Sequence, residues 1–258
     1  MTCVCGELPR AFRVLSFNFR PVDQNRQTRI LATLGPATDS VEAIGKLLDA
    51  GANIFRLNMS HARHDWAKTT TAHIREAAAQ RGRVPAVLMD LQGPAIRTGD
   101  LPEPLELKQG DRFDFTVDAT VQGDRGVGVN YPNFLNDIEV GAIILIDNGL
   151  IRMKVLNKTE SVAECEVDIG GTMGSRRHIN LPGTKVSLPA LTEKDRRDVA
   201  LGLELGVDYL ALSFVREAAD VEELQALIQA GDHPTMVVAK IEDQHAVKRI
   251  RRIIKAAD

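Results

Sequence analysis

Near the end of the chain the run TMVVAKIEDQ, residues 235 to 244, closes an apolar, β-branched stretch with Lys240 and Glu242, separated only by Ile241. Alternation along a strand puts both charges on one face. An ammonium and a carboxylate so placed either close a strand end as a structural salt bridge or belong to a site. Other apolar runs end the same way. NIFRLNMSH carries Arg56, Asn58, Ser60 and His61, VPAVLMDLQG carries Asp90 and Gln92, and VDYLALSF leads into Ser213 and Arg216. A parallel strand buried on both faces keeps its charges where it leaves the sheet, and in βα barrels that rim carries the chemistry. Polar clusters at equivalent positions of successive units therefore favour a site over a set of isolated salt bridges.

The elements that must position these residues follow a βα rhythm. TRILATLG reads as a buried strand, followed by a helix from about Ser40 in which Val41, Ile44, Leu47 and Leu48 share a face and which Gly51 ends. NIFRLNMSH, HDWAKTTTAHIREAAAQRG and VPAVLMDLQG then give strand, helix and strand. The rhythm resumes after residue 190. Thr192 with Asp195 makes a capping box for a helix that runs to Gly206. VDYLALSF is the fourth strand, about Ala218 to Ala230 a helix, TMVVAKIE the fifth strand, and DQHAVKRIRRIIKAA a last helix. Two junctions, LLDAGANIFRLN and GLELGVDYLALS, repeat one helix–glycine–strand pattern. Repeated units of this kind predict a parallel sheet covered by helices.

Between about residues 99 and 185 the texture changes. DRFDFTV, AIILIDNGLIRMKV and VAECEVDIGG alternate with turn residues, and Asn148-Gly149 between two apolar runs signals a hairpin. An all-β domain, of barrel type, is expected here as an insertion after the third strand. Removing roughly 85 inserted residues and the N-terminal extension leaves about 150 for the βα part, against roughly 200 to 250 for a closed eight-fold barrel. Either an open five-stranded sheet or a (β/α)8 TIM-type barrel truncated to about five units fits that count, and the charged strand ends favour the barrel. The expected organisation is an N-terminal extension over 1–25, the first part of the barrel domain over 26–98, the inserted lid over 99–186 and an incomplete second part over 187–258.

The bulk properties narrow the class. The chain has 258 residues, 44% hydrophobic and 26% charged, with a formal net charge of −3. That balance gives no attraction to nucleic acid or to a lipid surface, and no apolar run approaches the roughly 20 residues of a membrane span. Cys3, Cys5 and Cys165 are too few and too scattered for a structural zinc site and read as reduced thiols of a cytoplasmic protein. The first residues, MTCVCGELPRAFRVLSFNFRP, lack a secretory apolar core. Their arginines and scarcity of acids share something with a transit peptide, but a loosely attached extension is the preferred reading.

The ordered motifs resemble pyruvate kinases. RILATLGPATDSVEAIGKLLDAGANIFRLNMSH is similar to that family's barrel opening, MDLQGPAIRTG to its third-strand signature and NLPGTKVSLPALTEKD to its return from the inserted domain. VDYLALSFVREAADV and VVAKIED are similar to its fourth and fifth strands, so the resemblance covers about Arg26 to Asp258. It implies phosphoryl transfer from phosphoenolpyruvate to ADP, giving pyruvate and ATP, the last step of glycolysis. Lys240 matches the active-site lysine and Arg56 the arginine that grips the phosphate. Glu242 matches a carboxylate ligand of the divalent cation, magnesium or manganese. Asn58, Ser60, Asp90 and the backbone carbonyl of Leu91 match the potassium site. His61 and Arg97 match positions near the nucleotide, and Ser213 one beside the lysine. Homotetramers are usual in the family.

Three residues depart from the family pattern. Ala95 stands where potassium-dependent members carry Glu and potassium-independent ones usually Lys, and it can neither leave a negative balance for the ion nor replace it. Asp147-Asn148-Gly149 stands where many members have Asp-Asp-Gly, and His178 where a small residue is more usual. The family also continues into a strand whose Asp completes the divalent site, a threonine implicated in protonating the enolate, and a regulatory domain. The expectation is accordingly a fragment, inactive and poorly soluble by itself. Two other readings remain open at this stage. One is a barrel lyase that binds phosphoenolpyruvate or pyruvate, and the other a degenerate, non-catalytic paralogue that binds a metabolite.

Overall fold

The computed structural model describes residues 27–123, 125–184, 186–230, 234–242 and 244–258. The expected extension over 1–25, with Cys3 and Cys5, lies outside the described residues. β1 (Leu31–Thr33), α1 (Val41–Asp49), β2 (Ile54–Asn58), α2 (His64–Arg81) and β3 (Ala86–Asp90) come first. After a long insertion follow α4 (Glu193–Leu205), β13 (Tyr209–Leu212), α5 (Ala218–Ala230), β14 (Met236–Ala239) and α6 (Gln244–Ala256). The five strands pair in the order β1-β2-β3-β13-β14, every pair parallel. The fold is thus mixed α/β, a parallel sheet with helices packed on it.

Local chemistry explains where the helices start. Ser40 caps α1 by accepting the Ala43 N–H at 3.2 Å. Thr192 and Asp195 form the reciprocal capping box of α4, and Gly206 ends that helix in the left-handed conformation. The strands alternate strictly. Phe55, Leu57, Val87, Met89, Leu210, Leu212 and Val237 point into one core with the helices. Thr33, Arg56, Asn58, Asp90, Ser213 and Lys240 fall, by the same alternation, on the opposite face of the sheet. On that face the outer strands leave Leu31, Met236 and Val238 more than a third exposed. No described helix is long and apolar enough to cross a membrane.

The insertion has its own core. It comprises β4 (Leu105–Leu107), β5 (Arg112–Thr116), β6 (Gln122–Gly123), β7 (Gly126–Gly128), a short α3 (Phe134–Asp137), β8 (Ile143–Ile146), β9 (Ile151–Lys158), β10 (Val162–Ile169), β11 (Gly171–Met173) and β12 (Ile179–Asn180). Seven strands pair as β12-β8-β9-β10-β5-β7-β6, and β11 pairs separately with β4. The expectation of pure β structure misses α3, and β5 with β7 is a parallel pair. The hairpin forms where Asn148-Gly149 signals it, with Ile146 opposite Ile151 and residues 147–150 between them. Asp147 and Asn148, both with positive φ, occupy the centre of the turn, and the Gly149 N–H closes it on the Ile146 carbonyl at 3.1 Å. Cys165 is fully buried here, and burial, then the charge of Asp114, pushes its thiol up to about 12.

Phe113, Phe115 and Phe134 anchor this second core, with ring centroids 5.3 Å and 5.9 Å apart in sequence. Phe115→Ala is expected to destabilise it by roughly 3–5 kcal/mol. Amide exchange should then accelerate in β5 and β10 while β2 and β3 keep their protection. Equal acceleration in both sheets would contradict two independent cores.

Candidate active site

Strand register builds the site. Thr33 lies opposite Arg56, Asn58 opposite Asp90, and Asp90 opposite Ala211. The C-terminal ends of the strands therefore bring their polar residues to one level. Asp90, with a side chain only 3% exposed, is the centre. Arg56 donates from Nε to Asp90 Oδ2 at 2.7 Å and from Nη1 to Thr33 Oγ1 at 3.1 Å. Lys240 donates from Nζ to Asp90 Oδ1 at 3.1 Å and to Ser213 Oγ at 2.8 Å. Ser213 spends its own proton on the Leu91 carbonyl at 2.7 Å, which leaves its oxygen free to accept from the lysine.

Lys240 and Glu242 do share a face. Their Nζ and Oε1 are 3.4 Å apart, although β14 ends at Ala239 and both residues lie just past it. The second carboxylate oxygen of Glu242 accepts the Phe214 N–H at 2.8 Å. Two cations and two carboxylates thus meet in one cluster. Asp90 is enclosed by its partners, whereas the Glu242 side chain is 32% exposed and reaches the neighbouring cleft.

That cleft, of about 720 Å³, separates the parallel sheet from the inserted domain. Ser60, His61, Gln92, Arg97, Phe214 and Glu242 line it from one side. Asp147, Asn148, Ser175, Arg176, Arg177 and His178 line it from the other. Arg97 donates to the Arg176 carbonyl at 3.1 Å, Arg177 pairs with Asp147 at 3.3 Å, and Arg176 forks onto Asp100 at 2.7 Å and 3.0 Å. The His178 ring stacks on Phe214, centroids 5.1 Å apart and planes 20° from parallel. Burial, then the positive charge of Arg97, lowers the pKa of that imidazole, and Glu242 acts weakly in the opposite direction.

Most of the residues named from the sequence fall in or beside these two adjoining places, and Arg216 does not. Arg56, Asp90, Leu91, Ser213, Lys240 and Glu242 are linked by hydrogen bonds or ion pairs. Asn58 is the register partner of Asp90, and its Oδ1 accepts the Ser60 N–H at 3.2 Å. His61 and Arg97 line the cleft with Glu242. Arg216 behaves differently from the other rim residues. It pairs with Asp220 at 3.6 Å and donates to the Val186 carbonyl at 3.2 Å, so it ties a helix start to the segment returning from the insertion.

Several contributors escaped sequence reasoning. Thr33 sits in a three-residue strand with no polar pattern of its own. Arg176 and Arg177 were not singled out, and their adjacency just before the return motif was the available signal. Asp195 was seen only as a helix cap. It is fully buried, and its free oxygen accepts the Gly93 N–H at 3.1 Å. Gly93 has φ +68°, and a Cβ there would lie 2.9 Å from the Cβ of Ser213. Only glycine allows the loop after β3 to pass so close to Ser213. Among the described residues, no group of three or more His, Cys, Asp and Glu side chains could hold a metal by itself.

Comparison with known proteins gives one family. A model described as pyruvate kinase, barrel domain, matches residues 25–258. Pyruvate kinase isozyme G, chloroplastic, of Nicotiana tabacum is 40% identical over 234 residues, 90% of this chain and 42% of that protein. The pyruvate kinase of Geobacillus stearothermophilus is 40% identical over 237 residues, 90% of this chain and 40% of its own. That of Staphylococcus aureus (strain MRSA252) is 36% identical over 236 residues, 90% and 40% of the two chains. The chain spans about two fifths of the length of the relatives it matches.

Two measurements check the cluster. Asp90→Ala leaves Arg56 and Lys240 facing each other, but their side chains are 26% and 30% exposed, so water recovers part of the loss. A destabilisation of roughly 2–4 kcal/mol in urea is expected, and an unchanged midpoint would show that Asp90 does not hold the cluster. The His178 imidazole should titrate below its ordinary 6.5. As pH falls the unfolded chain then takes up that proton first, so the residue's contribution to stability is intact above about 6.5 and lost below. A proton-resonance midpoint above 6.5 would contradict this.

Proposed function

The chain belongs to the pyruvate kinase family, and from that membership we propose that its site serves phosphoryl transfer from phosphoenolpyruvate to ADP, yielding pyruvate and ATP in glycolysis. The observation that carries the reading is the position of Lys240. Its ammonium lies 2.8 Å from Ser213, 3.1 Å from Asp90 and 3.4 Å from Glu242, on the rim beside the cleft. Phosphoryl transfer depends on alignment and on neutralising oxygen charge, which calls for cations fixed in advance. Arg56 and Lys240 are such cations, held by Asp90 and Ser213 and turned to the same side. In this reading both face the phosphate of phosphoenolpyruvate, and Lys240 follows the transferring group.

Glu242 is the protein's ligand for a divalent cation, magnesium or manganese. The residues present fit a magnesium-type site, which takes one or two carboxylates and completes its shell with substrate oxygens and water. A partly exposed carboxylate whose orientation is fixed by the Phe214 N–H meets that need. When bound, the ion would neutralise charge on the transferring oxygens. Asn58 Oδ1, the Ser60 side chain, Asp90 and the Leu91 carbonyl are proposed to hold potassium, with Ala95 supplying neither charge seen at its position in other members. His61, Arg97 and Arg177 would receive the nucleotide phosphates from the cleft.

The wider architecture follows the same reading. The parallel sheet with its helices would be the first five units of a (β/α)8 barrel, and residues 99–186 a lid over its rim. Two separate cores support that division. Homotetramers are the proposed assembly.

In the full-length protein, Lys240→Met is expected to lower kcat by roughly 10³-fold with little change in the KM for phosphoenolpyruvate. Full activity in that variant would refute the assignment. Chelation with EDTA should abolish turnover and magnesium restore it. Pyruvate formation that proceeds without ADP would instead identify a carbon–carbon lyase.

A further inference from the structure

His178 occupies the seam between the two halves of the molecule. Its backbone bridges antiparallel to Arg97, so it joins the outgoing and returning segments of the insertion. Its carbonyl accepts the Asp147 N–H at 3.0 Å, which ties it to the β8–β9 turn. Its ring, however, leaves the inserted domain and stacks on Phe214 from the parallel-sheet half. Phe214 is itself constrained. Its φ is +57°, a conformation that a bulky residue adopts only when its surroundings enforce it. Gly93 also runs close to this ring, and a Cβ there would stand 3.1 Å from Phe214 Cδ2. The Phe214 ring thus meets both the loop after β3 and the His178 imidazole. From the same residue, the backbone N–H reaches Glu242 Oε2 at 2.8 Å.

We propose that His178 is a positioning residue: its stack on Phe214 sets both the seat of the lid on the rim and the N–H that orients the Glu242 carboxylate. Lid placement and the direction of the proposed cation ligand then change together. The coupling to the cation rests on the function proposed above, whereas the stack itself does not. A small residue at this position would remove the ring that stacks on Phe214. Ring stacking is the operative interaction, so any flat ring of similar size should serve and the imidazole nitrogens are dispensable.

The test compares His178→Ser with His178→Phe in the full-length protein, using two readouts besides activity. Amide exchange is measured at Phe214 and at the seam amides of Thr98 and Ile179, which bond to the Arg177 and Ile96 carbonyls. Manganese affinity is measured by electron paramagnetic resonance. In His178→Ser, exchange should rise and manganese affinity fall, each by about two- to tenfold, the range expected for loss of one aromatic contact. His178→Phe should restore both. Unchanged exchange in the serine variant, or failure of phenylalanine to restore it, would overturn the stack's role. Altered exchange with unchanged manganese affinity would overturn the coupling to Glu242. If the parent protein binds no manganese, the divalent-site reading fails, and exchange alone decides whether the stack positions Phe214.

Discussion

Asp90 carries one negative charge in a place where water barely reaches it, and two cations on different strands answer that charge. A buried carboxylate is tolerated only when it is paired and hydrogen-bonded. Here the pairing fixes Arg56, from β2, and Lys240, from the end of β14, on either side of one acceptor. Neither long side chain is then free to sample rotamers, and both guanidinium and ammonium stand ready on the rim. The strands had to be parallel and in this register for that to occur, because Asp90 lies opposite Asn58 on one side and Ala211 on the other. A slip by one residue would send Asp90 into the helix-facing core.

The second constraint is the seam. Two hydrophobic cores fold around separate sheets, and the cleft lies where they meet. Its walls are polar, with arginines from the insertion opposite His61, Gln92 and Glu242. The cleft thus has an anionic edge at Glu242 and a basic edge at Arg97 and Arg177. Asp195 reaches into this region from behind. One carboxylate caps α4 and also holds Gly93, so the start of a helix and the loop after β3 are positioned by a single buried group.

Much of this was legible in the chain because it is locally encoded. Ser40, and Thr192 with Asp195, mark helix starts through bonds to backbone only three residues away, and α1 and α4 begin where these residues place them. The apolar alternation of IFRLN and AVLMD put Arg56 and Asp90 on their faces correctly. Strand lengths were over-read, since β1 keeps three residues of TRILATLG and β14 stops before Lys240. A strand ends where its neighbour's hydrogen bonds end, which no single segment encodes. The same reason hid β6, β7 and β12, which exist only through partners elsewhere in the insertion. The grouping of Arg56 with Asp90, 34 residues on, and of Asp90 with Lys240, 150 residues on, came from family resemblance rather than from pattern. Arg216 shows the opposite failure, a rim charge by position that the fold uses as a tie to Asp220.

The buried thiol of Cys165 has a consequence of a different kind. With its ionisation pushed up to about 12, it offers almost no thiolate at neutral pH. It is the anion that attacks peroxide and electrophiles, and the sheet closes over the sulfur in any case. It is the sole cysteine among the described residues, so an oxidative burst finds no reactive thiol there.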